Sequence, residues 1–253
     1  MNGARTRLRK IVRAGGFAGI TAGMLPPYLL RHALAGPKRE EVRDRWVRRW
    51  SQALLDLFAV RVEVLGRTAP RRGRLVVANH RSTIDIAILL STFGGRMVSR
   101  ADVAGWPIVG AAARAVGTVF VDRQSATSGA TTIRAIRDVL RAGDTVCLFP
   151  EGTTFEGDEV RPFHAGAFVA AVRSGAEIVP VGIAYESGSE AAFVGESFLA
   201  HLSRMAGGEP TRVTACIGEP FTVEGVRAPE LRERAQAEVQ RLVEEARRHC
   251  DRK

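Results

Sequence analysis

The 253-residue chain has few cysteines and few aromatic residues. Its three cysteines, Cys147, Cys216 and Cys250, are odd in number, far apart and without a CxxC pair. That spacing supports neither a disulfide framework nor a structural zinc site, and it suits a reducing, cytoplasm-facing location. Cys147 lies in the apolar run Val146 to Phe149 and reads as a small core residue rather than a nucleophile. There is no internal repeat or low-complexity tract, and no GxSxG elbow, which argues against a serine hydrolase. RNA-binding motifs with interleaved aromatics are also missing, so no nucleic-acid partner is expected. A spanning helix wants about 20 apolar residues. The nearest candidate, Ala14 to Leu30, has 17, four of them glycines and two the adjacent prolines Pro26 and Pro27. It is expected to lie at a membrane interface or re-enter it, with a short span as the competing reading; a cleaved signal peptide would deliver the chain to an oxidising compartment that the cysteines do not suggest.

What is present is a balanced globular composition, 45% hydrophobic and 25% charged. The length fits one large α/β core with an appended arm. The net charge of +10 is concentrated in that arm. Residues 1–50 carry 12 basic residues against Glu40, Glu41 and Asp44, or +9, which leaves 25 basic and 24 acidic residues, or +1, for the rest. Such an arm suits an anionic surface. Within it, Glu41 to Leu57 places Val42, Trp46, Trp50, Leu54 and Leu57 at helical spacing, with Arg43, Arg45, Arg48 and Arg49 mostly on the remaining face. The pattern predicts a basic amphipathic helix whose tryptophans lie at headgroup level, or else pack on the core. The expected division is a helical membrane-association arm, residues 1–57, and a catalytic α/β domain, residues 58–253.

After the arm, short apolar runs alternate with helical patterns, which predicts an α/β fold with a mostly parallel or mixed sheet flanked by helices. Predicted strands are Val60 to Leu65, Leu75 to Ala78, Met97 to Arg100, Thr118 to Val121, Thr145 to Phe149, Ile178 to Tyr185 and Arg212 to Ile217. Predicted helices include Ala130 to Arg141, which stops at Gly143, and Pro229 to His249, which opens at a proline. The stretch Ser187 to Gly208 reads as a helix flanked by loops.

Asn79-His80-Arg81-Ser82-Thr83-Ile84-Asp85 directly follows a predicted strand, so His80 sits where reactive groups project from an α/β sheet. If a helix begins at Ser82 or Thr83, Asp85 lies in its first turn and its carboxylate reaches back to the imidazole. Acyl transfer to an alcohol needs a base for the hydroxyl proton, and histidine titrates in the right range. A carboxylate on the other ring nitrogen fixes the tautomer and stabilises the imidazolium. The substrate hydroxyl then takes the place of a serine nucleophile. That spacing alone is a weak signal, arising by chance about one time in five in a chain of this composition. Three further blocks add to it: Gly117 to Arg123, which puts Arg123 just past a strand to hold an anion; Phe149-Pro150-Glu151-Gly152-Thr153-Thr154; and Val179-Pro180-Val181.

These blocks, NHxxxxD, GxxFxxR, FPEGT and VPV in that order, resemble the PlsC-like glycerolipid acyltransferases over roughly residues 45–220. The resemblance implies a glycerol-3-phosphate acyltransferase-like fold and transfer of an acyl group from acyl-CoA or acyl carrier protein to a lysophospholipid. The acceptor expected is 1-acylglycerol 3-phosphate, giving phosphatidic acid, with lyso-ornithine lipid as the alternative; the alternative of another class is a non-catalytic membrane-binding protein. It implies His80 and Asp85 as the catalytic pair, and Gly117, Phe120, Arg123, Glu151 and Gly152 at the acceptor's glycerophosphate, with Arg100 and Thr153 beside them. No cofactor or metal is implied, the acyl thioester being a cosubstrate. The arm resembles the family's N-terminal helices, which dock on the bilayer, here the cytoplasmic face of the inner membrane as a peripheral or monotopic protein. Two departures stand out: Arg100 and His164 occupy places where lysine is common. His32, His201 and His249 lie in no block, and Ser82 and Thr83 read as helix-start residues.

Overall fold

The computed structural model describes residues 2–67, 73–122, 128–189, 191–193 and 195–252. The arm consists of α1 (Asn2–Leu34) and α2 (Arg39–Leu57). Then follow β1 (Val60–Leu65), β2 (Arg74–Ala78), α3 (Ile84–Phe93), β3 (Arg96–Arg100), α4 (Val109–Ala115) and β4 (Val119–Val121). The second half holds α5 (Ser128–Arg141), β5 (Val146–Leu148), α6 (Gly166–Ser174), β6 (Glu177–Tyr185), α7 (Phe198–Gly207), β7 (Thr211–Ile217) and α8 (Ala228–Cys250). Every predicted strand coincides with one of these within two residues.

Among the described residues seven strands form one sheet in the order β1-β7-β6-β2-β5-β3-β4. All neighbours run parallel except β6 and β7. β2 is central, with Val76 opposite Cys147 of β5 on one side and Val179 of β6 on the other. Its five residues are all buried, which is why they read as an unbroken run of apolar residues after Arg74 rather than an alternation. The period of two then sorts them: Val76 and Ala78 join the core beneath α2, α3 and α7, while Leu75 and Val77 join the core beneath α5, α6 and α8. Cys147 is fully buried there, and burial pushes its thiol far above the ordinary value. α8 rides directly on β6, where a Cβ on Gly182 would fall 2.3 Å from the backbone of Leu242 and Val243.

The arm departs from expectation in how its two helices pack. α1 is one continuous helix that runs through Pro26 and Pro27. The two missing N–H groups free the carbonyls of Ala22 and Gly23, and these residues lie on the exposed side of the helix, where the carbonyls can be solvated. The tryptophans of α2 do not face outward. Trp50 Nε1 donates to Thr21 Oγ1 at 3.0 Å, and Trp46 packs 6.3 Å from the Tyr28 ring, so α1 covers the apolar stripe of α2. Arg43, expected on a solvated face, is 1% exposed and bonds bidentately to Asp144 at 2.6 and 2.5 Å. The exposed apolar side chains of the arm belong to α1: Leu8, Ile11, Val12, Leu29, Leu30 and Leu34. No helix among the described residues is long and apolar enough to cross a membrane.

Candidate active site

Adjacent parallel strands end at the same edge of a sheet, and this places the β2–α3 turn beside the loop after β5. Asn79 opens the turn by continuing the ladder with its side chain: its Nδ2 donates to Ile183 O at 2.9 Å and its Oδ1 accepts from Ile183 N at 2.8 Å. His80 follows. Its Nδ1 lies 2.9 Å from Asp85 Oδ2, and its ring stacks on Phe149 with centroids 3.9 Å apart and planes 5° from parallel. Asp85, in the first turn of α3, is fully buried. Its Oδ2 also accepts from the backbone N–H of Arg81 at 2.6 Å and of Ser82 at 2.8 Å, while Tyr185 OH donates to Oδ1 at 2.5 Å. A carboxylate held by this many donors cannot turn away. Because Nδ1 donates to Asp85, Nε2 is the nitrogen left to accept a proton.

That histidine lines a cavity of about 1010 Å³. One wall is apolar and comes from Met24, Leu25 and Tyr28 of α1, Trp46 and Trp50 of α2, and Leu90 of α3. The arm is therefore part of the site, not an appendage beside it. The polar part of the lining includes Arg100, Asp102, Asp122, Thr153, Thr154 and His164. Arg100 is exposed and paired with Asp102 at 2.9 Å. This mixture of an apolar volume, a few convergent polar groups and one histidine–carboxylate pair can hold a long-chain alcohol and take up its proton.

The remaining residues singled out in the sequence are dispersed around this centre. Glu151 is 4% exposed and turned inward, accepting from His80 N at 2.7 Å, Arg81 Nη1 at 2.9 Å and Arg161 N at 2.9 Å. Gly152 and Thr153 line the cavity, and Gly152 N–H donates to Phe149 O at 3.1 Å within its own turn. Gly117 and Phe120 do not line it. Gly117 has φ 75°, and a Cβ there would collide with the Arg96 guanidinium, so it serves the turn into β4. Arg123 lies outside the described residues. Among the described residues no three His, Cys, Asp or Glu side chains come together as metal ligands.

Sequence reasoning missed Tyr185 and His201. Tyr185 ends β6, and burial, with the Asp85 charge beside it, holds its hydroxyl well above the ordinary tyrosine value, so it remains a donor. His201 is fully buried, its Nε2 3.4 Å from Ser82 Oγ and its Nδ1 3.0 Å from Glu196 Oε1. Burial lowers its proton affinity, against the opposing pull of Glu196. These residues lie 100 and 119 positions from their partners, and no local motif flags either.

The chain is similar to known acyltransferases. The family model described as Acyltransferase matches residues 60–184. A lyso-ornithine lipid O-acyltransferase of Pseudomonas aeruginosa is 34% identical over 241 residues, 92% of this chain and 93% of that protein. A 1-acyl-sn-glycerol-3-phosphate acyltransferase of Neisseria meningitidis is 33% identical over 57% of each chain. The crystal structure of the 1-acyl-sn-glycerophosphate acyltransferase PlsC from Thermotoga maritima superposes with a TM-score of 0.76 over 97% of both chains at 23% identity, a likeness of fold. With a relative this similar along nearly its whole length, and the family model spanning the strands that carry His80, Asp85 and Glu151, the chain belongs to the PlsC-type acyltransferase family and is an acyltransferase.

Proposed function

We propose that this enzyme transfers an acyl group from a thioester of coenzyme A or acyl carrier protein to the free hydroxyl of a lysolipid, with His80 as general base and Asp85 as its orienting partner. The observation that carries the reading is the 2.9 Å contact from His80 Nδ1 to buried Asp85, at the wall of a cavity large and apolar enough for an acyl chain. The acceptor hydroxyl gives its proton to Nε2 as its oxygen attacks the thioester carbonyl. When the tetrahedral intermediate collapses, the carbon–sulfur bond breaks and the thiolate recovers that proton from the imidazolium. Asp85 stabilises the imidazolium in between. No residue of the protein is acylated.

In this reading Arg100 and His164, both in the cavity lining, face the acceptor's headgroup. The resemblance of the motif blocks implies 1-acylglycerol 3-phosphate as acceptor. A second reading, lyso-ornithine lipid, draws support from the nearly full-length similarity to the Pseudomonas aeruginosa protein, whereas the Neisseria meningitidis relative matches 57% of the chain. The lining also carries both signs of charge, in Arg100, Asp102 and Asp122, which suits a zwitterionic headgroup. α1 lies on the cytoplasmic leaflet with Leu8, Ile11 and Val12 toward lipid and Arg5, Arg7 and Lys10 at the phosphates. Purified enzyme, a labelled acyl thioester and a panel of lysolipids, read by mass spectrometry, decide the acceptor. In the same assay His80→Ala lowers transfer by about 10²–10⁴-fold; activity near wild type in that variant would end the general-base assignment.

A further inference from the structure

We propose that Tyr185 is a positioning residue for this reaction, fixing the Asp85 carboxylate from the side opposite His80. The inference rests on the reading of His80 as the base. Asp85 Oδ2 has three donors, namely His80 Nδ1 and the backbone N–H groups of Arg81 and Ser82, whereas the donor to Oδ1 is the Tyr185 hydroxyl at 2.5 Å. With a partner on each oxygen the carboxylate cannot rotate, and Oδ2 stays aimed at the imidazole. Tyr185 does not line the cavity and is 7% exposed, so it acts through Asp85 and not on the substrate.

The tyrosine is itself held from two directions. Its carbonyl accepts from Arg247 of α8 at 2.5 Å, and Arg247 pairs with Asp158 at 2.7 and 2.9 Å. Two residues upstream, Ile183 is tied to Asn79 at the start of the catalytic turn. β6 thus carries the hydroxyl at a fixed distance from the turn that carries His80. The other ionisable groups around the pair are Arg81 and Glu151 from the two loops and His201 from α7, with Arg247 and Asp158 behind the tyrosine. Arg81 is paired with Glu151, and Arg247 with Asp158.

A donor on Oδ1 draws negative charge away from the carboxylate. Without it Oδ2 accepts more strongly from Nδ1–H, the imidazolium is favoured, and His80 gives up its proton only at higher pH. Tyr185→Phe, which keeps the ring and removes the hydroxyl, is expected to lower kcat about tenfold with KM for the lysolipid unchanged. The acid limb of kcat/KM against pH moves up. The opposite change comes from protein made with 3-fluorotyrosine in a Tyr28→Phe background, which leaves Tyr185 as the sole tyrosine. It is compared with Tyr28→Phe protein made with ordinary tyrosine, because Tyr28 itself lines the cavity. The more acidic hydroxyl of the fluorinated Tyr185 is a better donor, and the acid limb moves down. A Tyr185→Phe enzyme with wild-type kcat and an unmoved acid limb overturns the proposal, as does a lower kcat accompanied only by a lower Tm. His80→Ala, assayed alongside, separates two failures. If it is inactive while Tyr185→Phe is normal, the role of Tyr185 alone falls; if it is active, the general-base reading falls first.

Discussion

The Glu151 carboxylate accepts from the backbone of His80 and Arg161 and pairs with Arg81, whose side chain is 5% exposed. Its motif implies contact with the acceptor, yet its oxygens are spent joining the β2–α3 turn to the loop after β5. Removing it leaves a buried guanidinium without its counter-charge. Glu151→Ala is therefore expected to cost about 3–5 kcal/mol in urea denaturation, with activity lost in step with folded protein. Unchanged stability with a raised KM for the lysolipid would instead put Glu151 at the headgroup. The histidine and the aspartate were legible because they are five residues apart in one motif; Tyr185 was not, because its proximity to Asp85 depends on β6 lying beside β2.

At the scale of elements, α2 is anchored to the N-terminal end of β5 by charge as well as by apolar packing. Arg43 and Arg96 both bond to Asp144, and Arg43 also reaches Glu40 and Asp44. Burial opposes the charge on Asp144, but the hydrogen bonds from Arg43 and Arg96 outweigh it and hold the carboxyl below the usual aspartate value. The stabilisation is accordingly present above about pH 4, the unfolded aspartate value, and is lost as pH falls through the lower folded value. The difference in Tm between wild type and Asp144→Asn should be largest near neutrality and shrink below about pH 4; a difference that does not vary with pH would rule out this linkage. The helical period of α2 was plain in the sequence, but which element would cover its tryptophan face was not. Periodicity marks an apolar face without saying whether lipid or another helix meets it.

For the molecule as a whole, the sequence places its excess charge in the arm, and the fold places the arm's exposed apolar residues on α1. Leu8, Ile11 and Val12 are 63%, 71% and 56% exposed and do not line the cavity. Replacing all three by serine is expected to weaken binding to anionic phospholipid vesicles by about a hundredfold or more, given the apolar surface each buries in lipid. Vesicle co-sedimentation measures this, and activity on detergent-dispersed lysolipid should persist. Rising salt should weaken binding of the wild type as well, because the arginines of α1 contribute through screened attraction. Vesicle binding equal to wild type in the triple variant would place the lipid contact elsewhere.

The sequence by itself determined the strands, the helical faces, the charge asymmetry and the histidine–aspartate pair, because each is written within a few consecutive residues. Tertiary structure alone decided that α1 covers α2 and walls the cavity, that Arg43 is buried against Asp144, that Glu151 turns inward, and that Tyr185 reaches Asp85. Each of these depends on which strand or helix becomes the neighbour of another. That choice is made by the packing of the whole chain, and no local pattern of residues encodes it.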